Sequence, residues 1–333
     1  MISRRHFLKS IAASTAAAGF PLPIRAAGTD PRKLRIGIIT DVHKDVIHDA
    51  DARLQTFVDA MQREKVDAIF QLGDFCIPKP ANRAFLAIFN QFSGPRYHVL
   101  GNHDMDGGFT RDQAVAFLGM KSRYYSFDLG GFHFVVLDAN DKPKDWKGGY
   151  PHFIAEDQFV WLRADLSKTS LNTFVLSHQS LERPACIDNQ AEVRAILEAA
   201  ITADGKPKVA GCFNGHWHID HHRRINNIPY LHINSASYFW LGEKYKHECL
   251  EPALATQYPW VSSTAPYQKP LFTILEIDPG SQRFSITGAK TDWLGPSPQS
   301  LGYPTTPGEE HIVTPSISAV TETYQSADLK LNR

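Results

Sequence analysis

The sequence predicts an α/β protein with a largely parallel strand core, antiparallel strands added to it, and helices covering two packed sheets. Three observations carry that expectation. Short continuous apolar runs recur along the chain, as buried strands require. Helical periodicity falls between these runs, which is the alternation that gives parallel pairing. Two further stretches read as hairpins and supply the antiparallel additions.

In chain order, Leu34 to Thr40 reads as a strand and stops at Asp41. Leu54, Phe57, Val58 and Met61 follow at helical spacing. Val66 to Gly73 is a second strand, stopping at Asp74. Phe85, Leu86, Phe89 and Phe92 mark a second helix, and Tyr97 to Gly101 a strand stopping at Asn102. Tyr124 to Asp138 is two strand-like runs around Gly130-Gly131. Phe159, Leu162 and Leu166 mark a third helix, and Thr173 to Ser177 a strand stopping at His178. Val193, Ile196 and Leu197 mark a fourth helix, and Val209 to Gly215 a strand stopping at His216. Leu271 to Ile286 is the second hairpin, turning at Asp278-Pro279-Gly280-Ser281. Leu241 to Pro270 has aromatics, prolines and charge without a period, and is expected to be an insertion near the site. From Gly295 the chain is rich in Pro, Ser and Thr. The expected organisation is therefore one domain over 33–294 and a loosely ordered tail over 295–333.

The N-terminus stands apart from this pattern. Ser3-Arg4-Arg5-His6-Phe7-Leu8-Lys9 precedes a mild Ala-rich stretch from Ser10 to Phe20, then Pro21, Pro23 and the small residues Ala26, Ala27 and Gly28. A positive start, a short apolar run and small residues at a cleavage point make a secretory signal within residues 1–27. The paired arginines before Phe-Leu-Lys resemble the twin-arginine type, which engages an export machinery for folded proteins. The expected location is the bacterial periplasm, with no stable membrane anchor, since the apolar run is too short to span a bilayer. The 333 residues suffice for one large folding unit. Lys plus Arg equals Asp plus Glu at 35 each, which gives no electrostatic case for nucleic acid as a partner. Cys76, Cys186, Cys212 and Cys249 form no C-x-x-C pair, and their spacing fixes no disulfide.

The polar residues at the strand ends form a set. They are Asp41-Val42-His43, Gly73-Asp74, Gly101-Asn102-His103-Asp104, His178 and Gly215-His216-Trp217-His218. Ligands of α/β sheets bind outside the carboxyl ends of the strands, so these segments are expected to converge. Asp41, His43, Asp74, Asn102, His178, His216 and His218 then bring carboxylate, amide and imidazole donors together. That mixture suits transition metals such as Mn, Fe or Zn. It exceeds one ion's usual share of protein ligands and is enough for two ions about 3.5–4 Å apart with a shared carboxylate. Gly73, Gly101 and Gly215 each precede a proposed ligand, where a missing Cβ lets the backbone come close.

This ordered set resembles the calcineurin-like metallophosphoesterases, whose pattern runs D-x-H, G-D, G-N-H-D or G-N-H-E, a single H, then G-H-x-H, and covers about Ile36 to His218 here. The resemblance implies a four-layer α/β/β/α sandwich of two mixed sheets flanked by helices. It further implies that Asp41, His43 and His218 hold one ion, that Asn102, His178 and His216 hold the other, and that Asp74 bridges. The purple acid phosphatases, a sister group, use a Tyr after G-D and lack the His of D-x-H. Phe75-Cys76-Ile77 and His43 disfavour that branch. Many members also carry an acidic residue shortly after G-D, which this chain lacks.

The expected activity is hydrolysis of a small phosphomonoester or phosphodiester by a hydroxide held between the ions. His103 is expected to stabilise the transition state or protonate the leaving group, with Asp104 orienting it. The competing reading of Asp104 is a loop-capping carboxylate. Asp45, His48 and Asp49 read as a solvated helix entry or as groups near the site, and His221 and His222 as surface residues. His98, His133 and His232 lie inside strand-like runs and read as structural. A non-catalytic metal-binding or interaction protein on the same fold is the alternative function. Selectivity is expected in loops 44–51, 104–113, 180–190 and 241–270.

Overall fold

The computed structural model describes residues 32–184, 186–304 and 312–325, so the signal at 1–27 lies outside the described residues. The strands are β1 (Leu34–Ile39), β2 (Ala68–Gln71), β3 (Arg96–His98), β4 (Tyr125–Leu129), β5 (Phe132–Val136), β6 (Thr173–Leu176), β7 (Val209–Asn214) and β8 (His221–Ile225). They continue with β9 (Ile228–His232), β10 (Tyr238–Trp240), β11 (Thr264–Pro266), β12 (Thr273–Asp278), β13 (Arg283–Ile286), β14 (Ala289–Lys290), β15 (Ser316–Ile317) and β16 (Val320–Thr323). The α-helices are α1 (Ala50–Arg63), α2 (Arg83–Phe89), α3 (Arg111–Leu118), α4 (Glu156–Lys168), α5 (Gln190–Ala199) and α6 (Pro252–Gln257).

One six-stranded sheet runs β16-β13-β12-β1-β2-β3, the other β4-β5-β6-β7-β9-β8. β1, β2 and β3 pair in parallel, as do β5, β6, β7 and β9. The outer strands β12, β13, β16, β4 and β8 are antiparallel. Successive side chains of a strand point to opposite faces, and here both faces are apolar. Ile36, Ile38 and Phe70 of the first sheet meet Phe134, Val136, Phe174 and Leu176 of the second in the central core. Ile39 and Ile69 turn the other way, onto Leu54, Phe57, Met61, Phe85 and Phe89. Val135 and Val175 likewise turn outward onto Phe159, Leu162, Val193 and Ile196. The result is the four-layer α/β/β/α sandwich. One irregularity serves the packing: the register shifts between Thr173 and Phe174, where Val209 and Gly211 are their partners. The extra residue lets Ala210 and Phe213 both face the central core.

Several expectations are corrected. The segment from Gly295 is not a loose tail throughout: β15 and β16 lie in it, β16 extends the first sheet, and Ile317, Val320 and Tyr324 are buried in the central core. The Ser/Thr-rich composition concealed a short edge strand, where polar outward residues are the rule. α2 stops at Phe89, and Phe92 is buried from the turn that follows. α3 carried a readable start signal: Thr110 Oγ1 accepts from the Gln113 amide and Gln113 Oε1 accepts from the Thr110 amide, a capping box. The β8–β9 hairpin turns at Asn226 and Asn227, whose φ values of 46° and 69° suit a two-residue turn of the primed type. All four cysteines are free thiols.

The strand histidines are structural, as read. His133 is held between Asp128 Oδ1 at 2.6 Å and Asp165 Oδ2 at 2.8 Å, tying the β4–β5 hairpin to α4. Burial opposes its charge, but the bonds to Asp165 and Asp128 prevail and raise its pKa above 6.5. A raised folded-state value favours folding when the group is protonated. That contribution is complete below pH 6.5 and is lost as pH rises through the raised value. The stability gap between wild type and His133→Gln, measured by urea unfolding, should therefore shrink from pH 6 to pH 9. A gap that stays constant with pH would refute this reading.

Candidate metal centre

Every proposed donor sits just past a strand end, because β1, β2, β3, β6 and β7 stop at Ile39, Gln71, His98, Leu176 and Asn214. The loops are stitched to one another by backbone bonds. The Asp41 amide donates to Gly73 O at 3.0 Å, the His43 amide to Asp74 O at 3.0 Å, and the Gly215 amide to His178 O at 3.1 Å. The His216 amide reaches the Asp41 carboxylate at 3.1 and 3.2 Å, which joins loops from the two sheets. Ser235 and Ser237 hydroxyls donate to Asp41 O and Val42 O, pinning the D-x-H turn.

These turns are strained. Asp41, His43, Asp74, His216 and His218 have φ of 51°, 52°, 51°, 77° and 53°. Left-handed backbone at non-glycine residues costs on the order of 1–3 kcal/mol each and persists where surrounding structure imposes it, typically at functional sites. The three glycines ahead of donors are fixed by close approach, and a Cβ on Gly73 would lie 2.3 Å from His178 Nδ1. A Cβ on Gly101 would lie 2.1 Å from the Asp74 amide nitrogen and Oδ1. One on Gly215 would lie 2.2 Å from Thr40 Oγ1 and 2.3 Å from Asp41 Oδ2.

Two three-residue groups result, each with its donor atoms within 4.8 Å of one another: Asp41, His43 and His218, then Asp74, His178 and His216. His43 Nε2 is 3.2 Å from His218 Nε2, and His178 Nε2 is 3.2 Å from His216 Nδ1. Asp74 Oδ2 lies between the groups, 3.1 Å from His178 Nε2 and 3.6 Å from His43 Nε2. Asn102 is buried beside them, and its Oδ1 has no hydrogen-bond partner.

The donors fit a pair of transition-metal ions. His178 Nδ1 lies 2.8 Å from Leu72 O and His218 Nδ1 2.8 Å from Tyr238 O. A carbonyl only accepts, so both Nδ1 atoms donate, which turns each ring's Nε2 inward as the atom a metal would take. His218 Nε2 meets Asp41 Oδ1 at 3.1 Å, so imidazole nitrogen and carboxylate oxygen already point at one spot. Burial pushes His43 down to about 3, and burial with the neighbouring His178 does the same to His216, so both are neutral ligands near pH 7. Burial opposes charge on Asp41 and Asp74, but the imidazoles beside them, His218 and His178 foremost, hold both below the usual carboxylate range. Asp74 and Asp41 raise His178 to about 9 against burial; this is the proton a metal would displace. The Asn102 oxygen, buried without a hydrogen-bond partner, is one more atom open to a cation.

The model for the calcineurin-like phosphoesterases matches residues 34–220. This chain belongs to that family. The twin-arginine translocation signal model matches residues 1–21, which directs export, in bacteria to the periplasm. Among the described residues no helix is long and apolar enough to cross a membrane. A curated relative, described as a 3′,5′-cyclic-nucleotide phosphodiesterase of Nostoc sp., is 27% identical over 230 residues, 62% of this chain and 80% of its own. A dimetal phosphatase from Danio rerio shares the fold at 15% identity and a TM-score of 0.58, over 88% of this chain and 99% of its own. So does the inner-membrane-complex anchor protein of Plasmodium, at 15% identity and a TM-score of 0.53, over 88% and 90%.

In this calcineurin-like phosphoesterase the expected partnership of His103 with Asp104 is not formed. Asp104 is fully buried; its Oδ1 accepts from the amides of Phe75 and Cys76 and its Oδ2 from Gly101. It is the loop-capping carboxylate, and burial together with Asp74 pushes it up to about 7. His103 Nδ1 instead meets Asp106 Oδ2 at 2.7 Å, and the Tyr150 hydroxyl lies 3.0 Å from that nitrogen while donating to Asp106 Oδ1 at 2.8 Å. Burial lowers the pKa of His103, but Asp74 and Asp106 outweigh it and the net shift is upward.

The other sequence candidates lie outside the two donor groups. Asp45 accepts from the Ile77 amide and Asn82 and pairs with Lys79, while Asp49 pairs with Arg53. His48 packs near Tyr258, and His222 is exposed. Asn214 Nδ2 bonds His232 Nδ1 at 2.9 Å and Gly215 O at 3.2 Å, and His232 Nε2 meets the buried Glu182 at 2.7 Å, so this chain of bonds braces the loop that carries His216. His221 lies 4.0 Å from the same carboxylate. A cleft of about 690 Å³ opens beside the donors, and Tyr150, Arg183, Trp217, Trp240, Trp260 and Tyr303 are among its walls.

Proposed function

We propose that the protein is an exported metal-dependent phosphodiesterase. The observation that carries this reading is the meeting of two largely buried donor groups at Asp74, with His103 beside them facing an open cleft. Asp41, His43 and His218 would hold one ion, Asn102, His178 and His216 the other, and Asp74 would serve both. When bound, such ions neutralise charge on the phosphoryl oxygens and acidify water for attack on phosphorus. The mixed nitrogen and oxygen set admits Mn, Fe or Zn, and export in the folded state lets the ions load before translocation.

The side chains supply the rest. A new P–O bond forms from water as the ester P–O bond breaks, and the departing oxygen needs a proton. His103 is placed to give it: Asp106 engages Nδ1, which leaves Nε2 as the donor, and the carboxylates of Asp74 and Asp106 favour the protonated ring. The name of the Nostoc relative favours a diester over a monoester. Retention of the full donor set and of His103 argues against a purely scaffolding role.

The test is elemental analysis of purified mature protein, with hydrolysis of bis(p-nitrophenyl) phosphate followed alongside. Two equivalents of transition metal are expected, with turnover abolished by chelation and restored by metal. A fully loaded protein that hydrolyses no phosphoester would establish the non-catalytic alternative.

A further inference from the structure

A phosphoryl group fills a small part of a cleft of about 690 Å³. The rest of the space has a distinct chemistry. Beside the donors, the lining carries Trp217, Phe239, Trp240, Trp260, Tyr303 and Ile312. Three of these rings are large and open to solvent: Trp217 at 36%, Trp240 at 44% and Trp260 at 53% exposure. Exposed aromatic surface gathered in one concavity marks a binding site. Arg183 is the one Lys or Arg among the described lining residues, so nothing there resembles the cationic cluster that a second phosphate or an acidic peptide needs.

The aromatic wall is held in place. β10, which carries Phe239 and Trp240, pairs with β11 through Phe239↔Ala265 and Trp240↔Thr264. The Phe239 and Tyr303 rings meet edge to face at 5.1 Å and 86°, and Tyr303 packs on Tyr245 at 5.2 Å. The Trp217 ring meets that of His216, a proposed ligand, edge to face at 6.0 Å and 83°. Aromatic rings from separate segments therefore border one cleft, with Phe239 and Tyr303 packed behind the open indoles. Such rings suit a planar π system, which stacks on them with little ordering cost, better than a flexible alkyl chain.

We propose that this wall is a subsite for a flat, uncharged aromatic group on the alcohol that the phosphodiester retains, so the substrate is a nucleobase-bearing or aryl diester. The inference rests on the phosphodiesterase reading and adds the substrate class.

The test uses metal-loaded mature protein and three diesters that share a p-nitrophenolate leaving group, with methyl, decyl or 1-naphthylmethyl as the second alcohol. The naphthylmethyl ester should exceed the methyl ester in kcat/KM by about tenfold or more, the expectation for one stacked ring. Trp260→Ala and Trp240→Ala, both at exposed rings, should each lower that ratio several-fold. Calorimetry gives a second readout that needs no turnover: naphthylmethyl phosphonate should bind more tightly than methyl phosphonate, and less so in Trp260→Ala. Equal kcat/KM for naphthylmethyl and methyl esters would overturn the subsite and leave the phosphodiesterase standing. A decyl ester that outruns the naphthylmethyl ester would overturn it in favour of a lipid-like alcohol. Hydrolysis of none of the three would refute the phosphodiesterase reading itself, while equal affinity for the two phosphonates would refute the subsite independently.

Discussion

Asp74→Ala should reduce bound metal below two equivalents and lower turnover on the order of 10³-fold or more, since metal-ion charge stabilisation is worth several kcal/mol. The effect should exceed that of any other single donor, for a geometric reason. Asp74 Oδ2 is within 3.1 Å of His178 Nε2 and 3.6 Å of His43 Nε2, so its loss opens both groups at once. Its Oδ1 also accepts from the His103 amide at 2.8 Å, so the loop carrying Asn102 and His103 loses an anchor. Asn102→Ala, by contrast, removes one oxygen from one group and should leave the Asp41, His43 and His218 set intact. Elemental analysis with steady-state kinetics on the two variants checks the ranking. If Asp74→Ala kept two ions and near wild-type turnover, the shared role of this carboxylate would be untenable.

Why the donors were legible in sequence while their surroundings were not has a physical basis. Each donor follows an apolar run that had to be a buried strand, and glycine precedes three of the five donor segments. Both features are local, and a parallel sheet necessarily collects its strand ends at one edge. The cleft is assembled otherwise. Tyr150 comes from a loop after Gly148 and Gly149, with φ of 111° and 81°, and no periodicity points it at His103. Tyr303, Ile312 and Val313 belong to the stretch whose composition reads as a loose tail, yet they line the same cleft as Trp217. Such walls depend on packing between distant segments, which spacing cannot encode. Trp260, within the aperiodic 241–270 stretch expected near the site, lines the cleft beside the donors.

The Asp104 and Asp106 exchange yields the second large effect. On a diester whose leaving group is an alkyl alcohol, which must take up a proton as it departs, His103→Ala should lower kcat by roughly 10²–10⁴-fold, the usual worth of a positioned proton donor, while both metal equivalents remain. If Asp106 sets the position and proton affinity of His103, then Asp106→Asn should lower kcat less and shift its alkaline limb to lower pH. The sign follows from the contacts: Asp106 raises the pKa of His103, so losing its charge lets the required proton leave earlier. Asp104→Asn should behave differently, because that carboxylate receives the Gly101, Phe75 and Cys76 amides and does not touch the His103 ring. It should lower stability, with the alkaline limb of the surviving enzyme unmoved. The carboxylate next to His103 in sequence is directed away from its ring by the tight turn, and Asp106 at ψ 160° before Gly107 at φ 74° is brought back onto it. pH–rate profiles and urea unfolding of the two variants separate the roles. A shifted limb in Asp104→Asn with none in Asp106→Asn would return the orienting role to the motif's own aspartate.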